Sequence, residues 1–166
     1  MTKNQINVFD LLSAPGPFEE YSDKLHLYGQ FVGSWDIDAV WYEPNGQRKG
    51  KGEWHFAWIL GGRGIQDVLF ASGEPQHQFG TSLRCYDASL DAWHISWMQP
   101  AGGEFVHLLG RKIGDRIVQE SIGDDHRRDR WSFNDITPDT FLWKGEVSFD
   151  NGMTWTVEQE MRAIRR

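Results

Sequence analysis

Glu53-Trp54-His55-Phe56-Ala57-Trp58-Ile59-Leu60 is the stretch that decides the fold. Large apolar side chains at Trp54, Phe56, Trp58 and Leu60 fall on every second residue, with Glu53, His55, Ala57 and Ile59 between them. A period of two marks a strand with one buried face. Gly61-Gly62 then turns the chain into a strand at 64–71. Upstream, Trp35, Ile37 and Ala39 alternate with Asp36 and Asp38, and Pro44-Asn45-Gly46 is a hairpin signal between the two runs. Further strands are expected at 78–86, 92–98, 104–111, 116–122, 129–135, 140–148 and 154–163. Turn-forming residues join them, among them Ala101-Gly102-Gly103, Gly114-Asp115, Gly123-Asp124-Asp125 and Asp150-Asn151-Gly152. No helical crossover separates any pair, so sequential hairpins make antiparallel neighbours. So many twisted strands curl, and closure removes their exposed edges. The expected fold is all-β: an antiparallel up-and-down barrel of about ten strands, with a two-sheet sandwich as the alternative.

One helix is expected before the strands. Pro17 suits a first helical turn, Glu19 and Glu20 complement its dipole, and Phe18, Leu25 and Tyr28 form the apolar stripe. It ends near Gly29 or Gly33. Residues 1–16 read as a partly disordered leader and 17–166 as a single barrel domain.

Charge narrows the partners. Seventeen Lys and Arg against 24 Asp and Glu give a formal net charge of −7. That balance opposes binding to nucleic acid or to an anionic membrane. No apolar run approaches the roughly 20 residues that cross a bilayer. Cys85 is the single cysteine, which excludes an internal disulfide and suits a reducing, cytoplasmic setting; it reads as a small buried hydrophobe. Nine Trp, ten Phe and four Tyr have two readings: they fill strand faces, where β-propensity places them, or they stack on a flat or apolar ligand.

Two motifs stand out. Gly33-Ser34-Trp35, where the helix meets the first strand, resembles the Gly-x-Trp signature that opens the lipocalin and fatty-acid-binding-protein barrels, together the calycins. The resemblance covers the order of elements from about 17 to 163; the second lipocalin signature, Thr-Asp-Tyr, is absent. It implies that Trp35 plugs the closed end beneath a basic side chain of the last strand, for which Arg162 and Arg165 are the candidates. It also implies a small apolar ligand, since known calycins mostly bind lipids, retinoids or haem and a minority are isomerases or cyclases. The second motif, Ser148-Phe149-Asp150-Asn151-Gly152-Met153-Thr154-Trp155, fits the Asp-box pattern at every fixed position. It occurs once in a chain too short for a propeller, and reads as a hairpin held by its own carboxylate.

Alternation assigns faces. With Trp54, Phe56 and Trp58 inward, the inner set gains Trp93, Ile95 and Trp97; Phe105, His107 and Leu109; Ile117, Gln119 and Ser121; Trp131 and Phe133. The last two strands add Phe141, Trp143, Val147, Trp155, Val157, Gln159 and Met161. Charges such as Lys51, Glu53, Arg130, Glu146 and Glu158 then fall outside. His107 and Gln119, polar and on adjacent strands, are the first candidates for fixing a ligand's polar end. Either Gln66 or Asp67 faces inward; if Asp67, an Asp67–His107 pair has the chemistry of an acid and a base. None of the six histidines shows zinc-type spacing, so no metal and no cofactor are expected, with haem left open. His77 reads as loop surface and His126 as part of a solvated charged turn. Trp41 and Tyr42, taken as outward, offer a homodimer contact.

The leading expectation is a barrel holding a small apolar or aromatic metabolite against Trp54, Phe56, Trp58, Trp97, His107, Gln119 and Trp143. An enzyme in the same cavity (isomerase, cyclase or small-molecule hydrolase) and a filled barrel serving as an interaction module are the alternatives.

Overall fold

The structure, a computed structural model, describes residues 7–71, 80–122 and 126–166. Ten strands form one closed antiparallel barrel: β1 Gly33–Glu43, β2 Gly46–Ile59, β3 Gly64–Ala71, β4 Gly80–Asp87, β5 Ala92–Gln99, β6 Glu104–Ile113, β7 Arg116–Ser121, β8 Arg128–Asn134, β9 Thr140–Ser148 and β10 Thr156–Arg165. Each strand pairs with its sequence neighbours. β1 closes the ring on β10, from Trp35 opposite Arg165 to Trp41 opposite Gln159. The barrel, not the sandwich, is therefore the solution.

Two helices precede it: α1 Val8–Leu12 and α2 Ser22–Gly29, the latter entered through a 3-10 turn at Glu19–Tyr21. α1 was not expected. Ala14, just after it, pairs with the edge of β2 through a hydrogen bond from its N–H to the Trp58 carbonyl, 2.9 Å. No helix among the described residues is long and apolar enough to cross a membrane.

α2 caps one end of the barrel and that half is solid. Leu25 and Tyr28 of α2 and the following Phe31 are buried against Trp35, Trp93, Phe133 and Phe141. Phe31 stacks on Phe133 at 4.6 Å, and Trp35 meets Phe141 edge-on at 4.7 Å. Each such aromatic side chain taken from water contributes about 2 to 3 kcal/mol. Of the two arginines proposed to cover Trp35, Arg165 does so: its guanidinium carbon lies 4.0 Å from the indole centroid. It also donates to the carbonyls of Gln30, Val32 and Pro138, tying the helix end, the entry to the first strand and the β8–β9 turn together. Arg162 is exposed on the outer wall.

Three face assignments need correction. On β6 the inner row is Val106, Leu108 and Gly110, with Leu108 and Gly110 buried; Phe105 and His107 are exposed. The inner side of β6 must match buried Trp93 and Ile95 of β5, and these pair with Gly110 and Leu108. On β10 a bulge between Val157 and Gln159 breaks the alternation. An extra residue shifts the phase of everything before it. Val157 therefore pairs with outward Glu146, and Trp155 lies under the Arg130 guanidinium at 4.0 Å on the outer wall. Trp41 turns inward, in the row of Trp35, Ile37 and Ala39, with the Arg48 guanidinium 3.8 Å from its ring; Tyr42 alone faces out, bonded to Glu160. The Trp41–Tyr42 pair is not a shared outer surface.

The Asp-box motif is a self-bonded hairpin. Asp150 accepts from the Thr154 N–H and hydroxyl and from the Ser148 hydroxyl, while the Trp155 indole donates to the Gly152 carbonyl. Asn151 and Gly152 both have positive φ, 57° and 85°, which is why Asn-Gly stands there. Cys85 is half-buried on the outer wall, its thiol pushed up by burial, so it is less enclosed than expected. His77 and the Gly123-Asp124-Asp125 turn lie outside the described residues; His126 is exposed.

Candidate ligand-binding site

The half of the barrel away from α2 is hollow. A deeper chamber of about 400 Å³ is walled by Trp54, Trp97, Trp131 and Trp143, with Ser82 and Arg84 at its polar side. An outer chamber of about 600 Å³, lined in part by Trp41, Arg48 and Phe70, shares the walls Leu69, Trp97, Glu104, Glu158, Gln159 and Met161 with it. Volumes of a few hundred Å³ are those of small-molecule pockets.

The indoles form a connected wall. Trp97 and Trp131 are 6.1 Å apart at 88°, Trp131 and Trp143 5.8 Å apart at 58°, and Trp54 and Trp143 6.4 Å apart at 81°. Rings set at such angles enclose a space on more than one side.

The polar side of the deep chamber comes from β3 and β4. Asp67 faces inward and its carboxylate takes a charge-assisted hydrogen bond from the Arg84 guanidinium. It also accepts from the Ser82 N–H at 3.1 Å, and Arg84 reaches the Ser82 hydroxyl at 3.4 Å. Both side chains are out of water, 0% and 1% exposed. Two unpaired ions could not persist there; a bonded pair can. The guanidinium also lies over Tyr28 at 5.3 Å and Phe56 at 5.7 Å, so the pair joins the aromatic plug to the hollow.

Several buried polar atoms lack a protein partner among the described residues: the Trp54 indole N–H, the Arg84 Nε–H, the Tyr28 hydroxyl and both amide atoms of Gln119. Buried donors are nearly always bonded. Trp54 and Arg84 line the deep chamber, but these two N–H groups have almost no accessible surface and lie behind its wall. Burial holds the Tyr28 phenol well above its usual range and keeps it neutral.

Against this geometry the residues named from sequence divide into three groups. Trp54, Trp97 and Trp143 wall the chamber. Phe56, Trp58 and Gln119 are buried in or beside the solid half. His107 stands outside, its Nδ1 3.0 Å from the Ser96 hydroxyl. The Asp67–His107 pair is therefore not formed: one is inside and bonded to Arg84, the other is on the opposite side of the wall. Arg84 went unnoticed in the sequence. Its signal was Asp67 on an otherwise apolar face, since an inward carboxylate demands a cation nearby. Among the described residues no three His, Cys, Asp or Glu side chains converge as a metal site.

No family model matches this chain, and neither does any curated protein. Among solved structures it is similar to Rv2717c from M. tuberculosis, with a TM-score of 0.58 and 13% identity over 86% of this chain and 97% of that one. It is also similar to the S-type phycobiliprotein lyase CPES from Guillardia theta, with a TM-score of 0.55 and 9% identity over 84% of this chain and 90% of that one. At such identities the likeness is one of fold.

Proposed function

We propose that this protein is a calycin-like binding barrel that holds a small apolar or aromatic molecule in its open half, against Trp54, Trp97 and Trp143. The observation that carries the reading is the indole-walled deep chamber of about 400 Å³ with Ser82 and Arg84 at its polar side. Apolar walls with a few fixed polar groups are what a small-molecule site requires. Kinship with the calycins is supported by Gly33-Ser34-Trp35 and by the stacking of Arg165 on Trp35. A reducing compartment such as the cytoplasm accords with the single cysteine.

Native mass spectrometry of freshly purified protein tests the reading, together with tryptophan fluorescence titrated with a metabolite panel. A retained adduct, or saturable quenching that Trp97→Ala weakens, is the expected result. Absence of adduct, quenching and thermal shift across the panel would mean that the chamber serves no ligand.

A further inference from the structure

We infer that the chamber selects organic cations: its occupant is a flat aromatic molecule carrying a protonated amine. The inference rests on the binding reading above and adds the sign of the ligand's charge.

The argument begins with which charges are already matched. Four cations line the two chambers: Arg48, Lys51, Arg84 and Arg127. Each has a carboxylate of its own. Arg48 bonds Glu43 at 3.0 Å, Lys51 bonds Asp38 at 2.5 Å, and Arg84 bonds Asp67. Arg127 holds two, Asp129 and Glu158, both at 3.0 Å. The sixth carboxylate, Glu104, takes part in no ion pair among the described residues; it accepts a hydrogen bond from the Trp97 indole at 3.1 Å. The deep chamber itself sets Arg84 and Arg127 against Glu104, Asp129 and Glu158, and Asp67 bonded to Arg84 is a fourth carboxylate, a formal excess of two negative charges.

That excess lies beside the indoles. Glu104 is fixed to Trp97, Trp97 abuts Trp131, and Asp129 and Glu158 share the chamber wall with both. Electron-rich ring faces and a carboxylate both attract a cation, and the attraction strengthens as water is displaced. The carboxylates do not converge as metal ligands do, so the cation that fits is organic and spread over ring-sized dimensions.

The deep side adds no attraction for an anion. A free carboxylate is a poor match, because Asp67 already neutralises Arg84 and the wall beyond is net negative. The ligand is therefore flat, its ring among the indoles and its ammonium toward Glu104.

Calorimetric titration of the full chain with naphthylmethylamine, naphthylmethanol and naphthoate isolates charge at constant ring size. The amine should bind about tenfold tighter than the alcohol, with the carboxylate weakest. High salt should weaken the amine and leave the alcohol unchanged. Glu104→Gln, which keeps an acceptor for Trp97, should bring the amine to within about threefold of the alcohol. If the alcohol binds and the amine is no tighter, or if naphthoate binds best, the cation inference is overturned while the binding reading stands. If none of the three binds, both fall.

Discussion

Arg84 on β4 and Asp67 on β3 form an ion pair inside the barrel, bonded to each other, screened from water, and adjoining both the aromatic plug and the hollow above it. The pair joins the solid half of the barrel to the hollow half. Removing one member strands the other charge in a low-dielectric interior. Arg84→Met or Asp67→Ala is accordingly expected to cost about 3 to 5 kcal/mol, whereas the apolar double variant Asp67→Leu/Arg84→Met should lose far less. Urea unfolding of the three variants measures this. Single variants within about 1 kcal/mol of wild type would show that the two side chains do not hold one another as described.

Tyr28 and Gly110 are a second coupled pair. A Cβ on Gly110 would lie 2.3 Å from the Tyr28 hydroxyl oxygen and 2.8 Å from the Ile95 Cδ1. Gly110→Ala is expected to cost about 1 to 3 kcal/mol by overpacking. Tyr28→Phe removes a buried hydroxyl that has no partner among the described residues and should stabilise by about 1 kcal/mol. In the Phe background the alanine should cost less, by a coupling of at least about 0.5 kcal/mol. Strict additivity in thermal unfolding would count against the contact.

The Asp150 hairpin sets a pH dependence. Hydrogen bonds from Thr154 and Ser148 lower its carboxyl to about 2 from the ordinary value of 3.8. A folded-state value below the unfolded one means a stabilising contribution fully present above pH 4, lost as the pH falls from about 4 to about 2. Asp150→Asn should be less stable than wild type at neutral pH, and the gap should narrow over that acid range. Denaturation midpoints compared at pH 6, 4 and 2.5 read this out; a constant gap would mean the carboxylate charge is not what holds the turn.

His107 gives a negative control. Since it lies on the outer wall beside Ser96, His107→Ala should change the affinity of a barrel ligand by no more than about twofold. Trp97→Ala, on the chamber wall, should weaken the same ligand. Loss of binding in the histidine variant, measured by fluorescence titration with its fold verified, would contradict this assignment of sides.

How far the sequence could be read depended on what each strand's pattern contained. β2 carries aromatics at one parity and polar groups at the other, so its period was unambiguous. β6 reads Phe105-Val106-His107-Leu108-Leu109-Gly110, apolar at both parities. Its true inner row ends in a glycine, which carries no hydrophobic signal, so the wrong phase looked better. β10 failed for another reason. One extra residue at Glu158 changes phase mid-strand, and no local pattern announces a bulge. On β4 the rule that charges face water was inverted: Leu83 is outside and Arg84 inside. Only a partner on the neighbouring strand makes that tolerable, and partnership is a property of register. The Gly33-x-Trp35 motif was legible because it sits at an element end, where sequence position and spatial position nearly coincide; the stacking arginine was narrowed only to Arg162 or Arg165, and the structure selects Arg165.

The confinement of the aromatic plug to the α2 end has a consequence for engineering. Phe31, Phe133 and Phe141 pack toward that end while Trp41, Trp97 and Glu104 line the open one, so side chains of the open end are exchangeable with little disturbance of the plug. Trp54, stacked on Phe133 and lining the deep chamber, is the seam at which that independence ends.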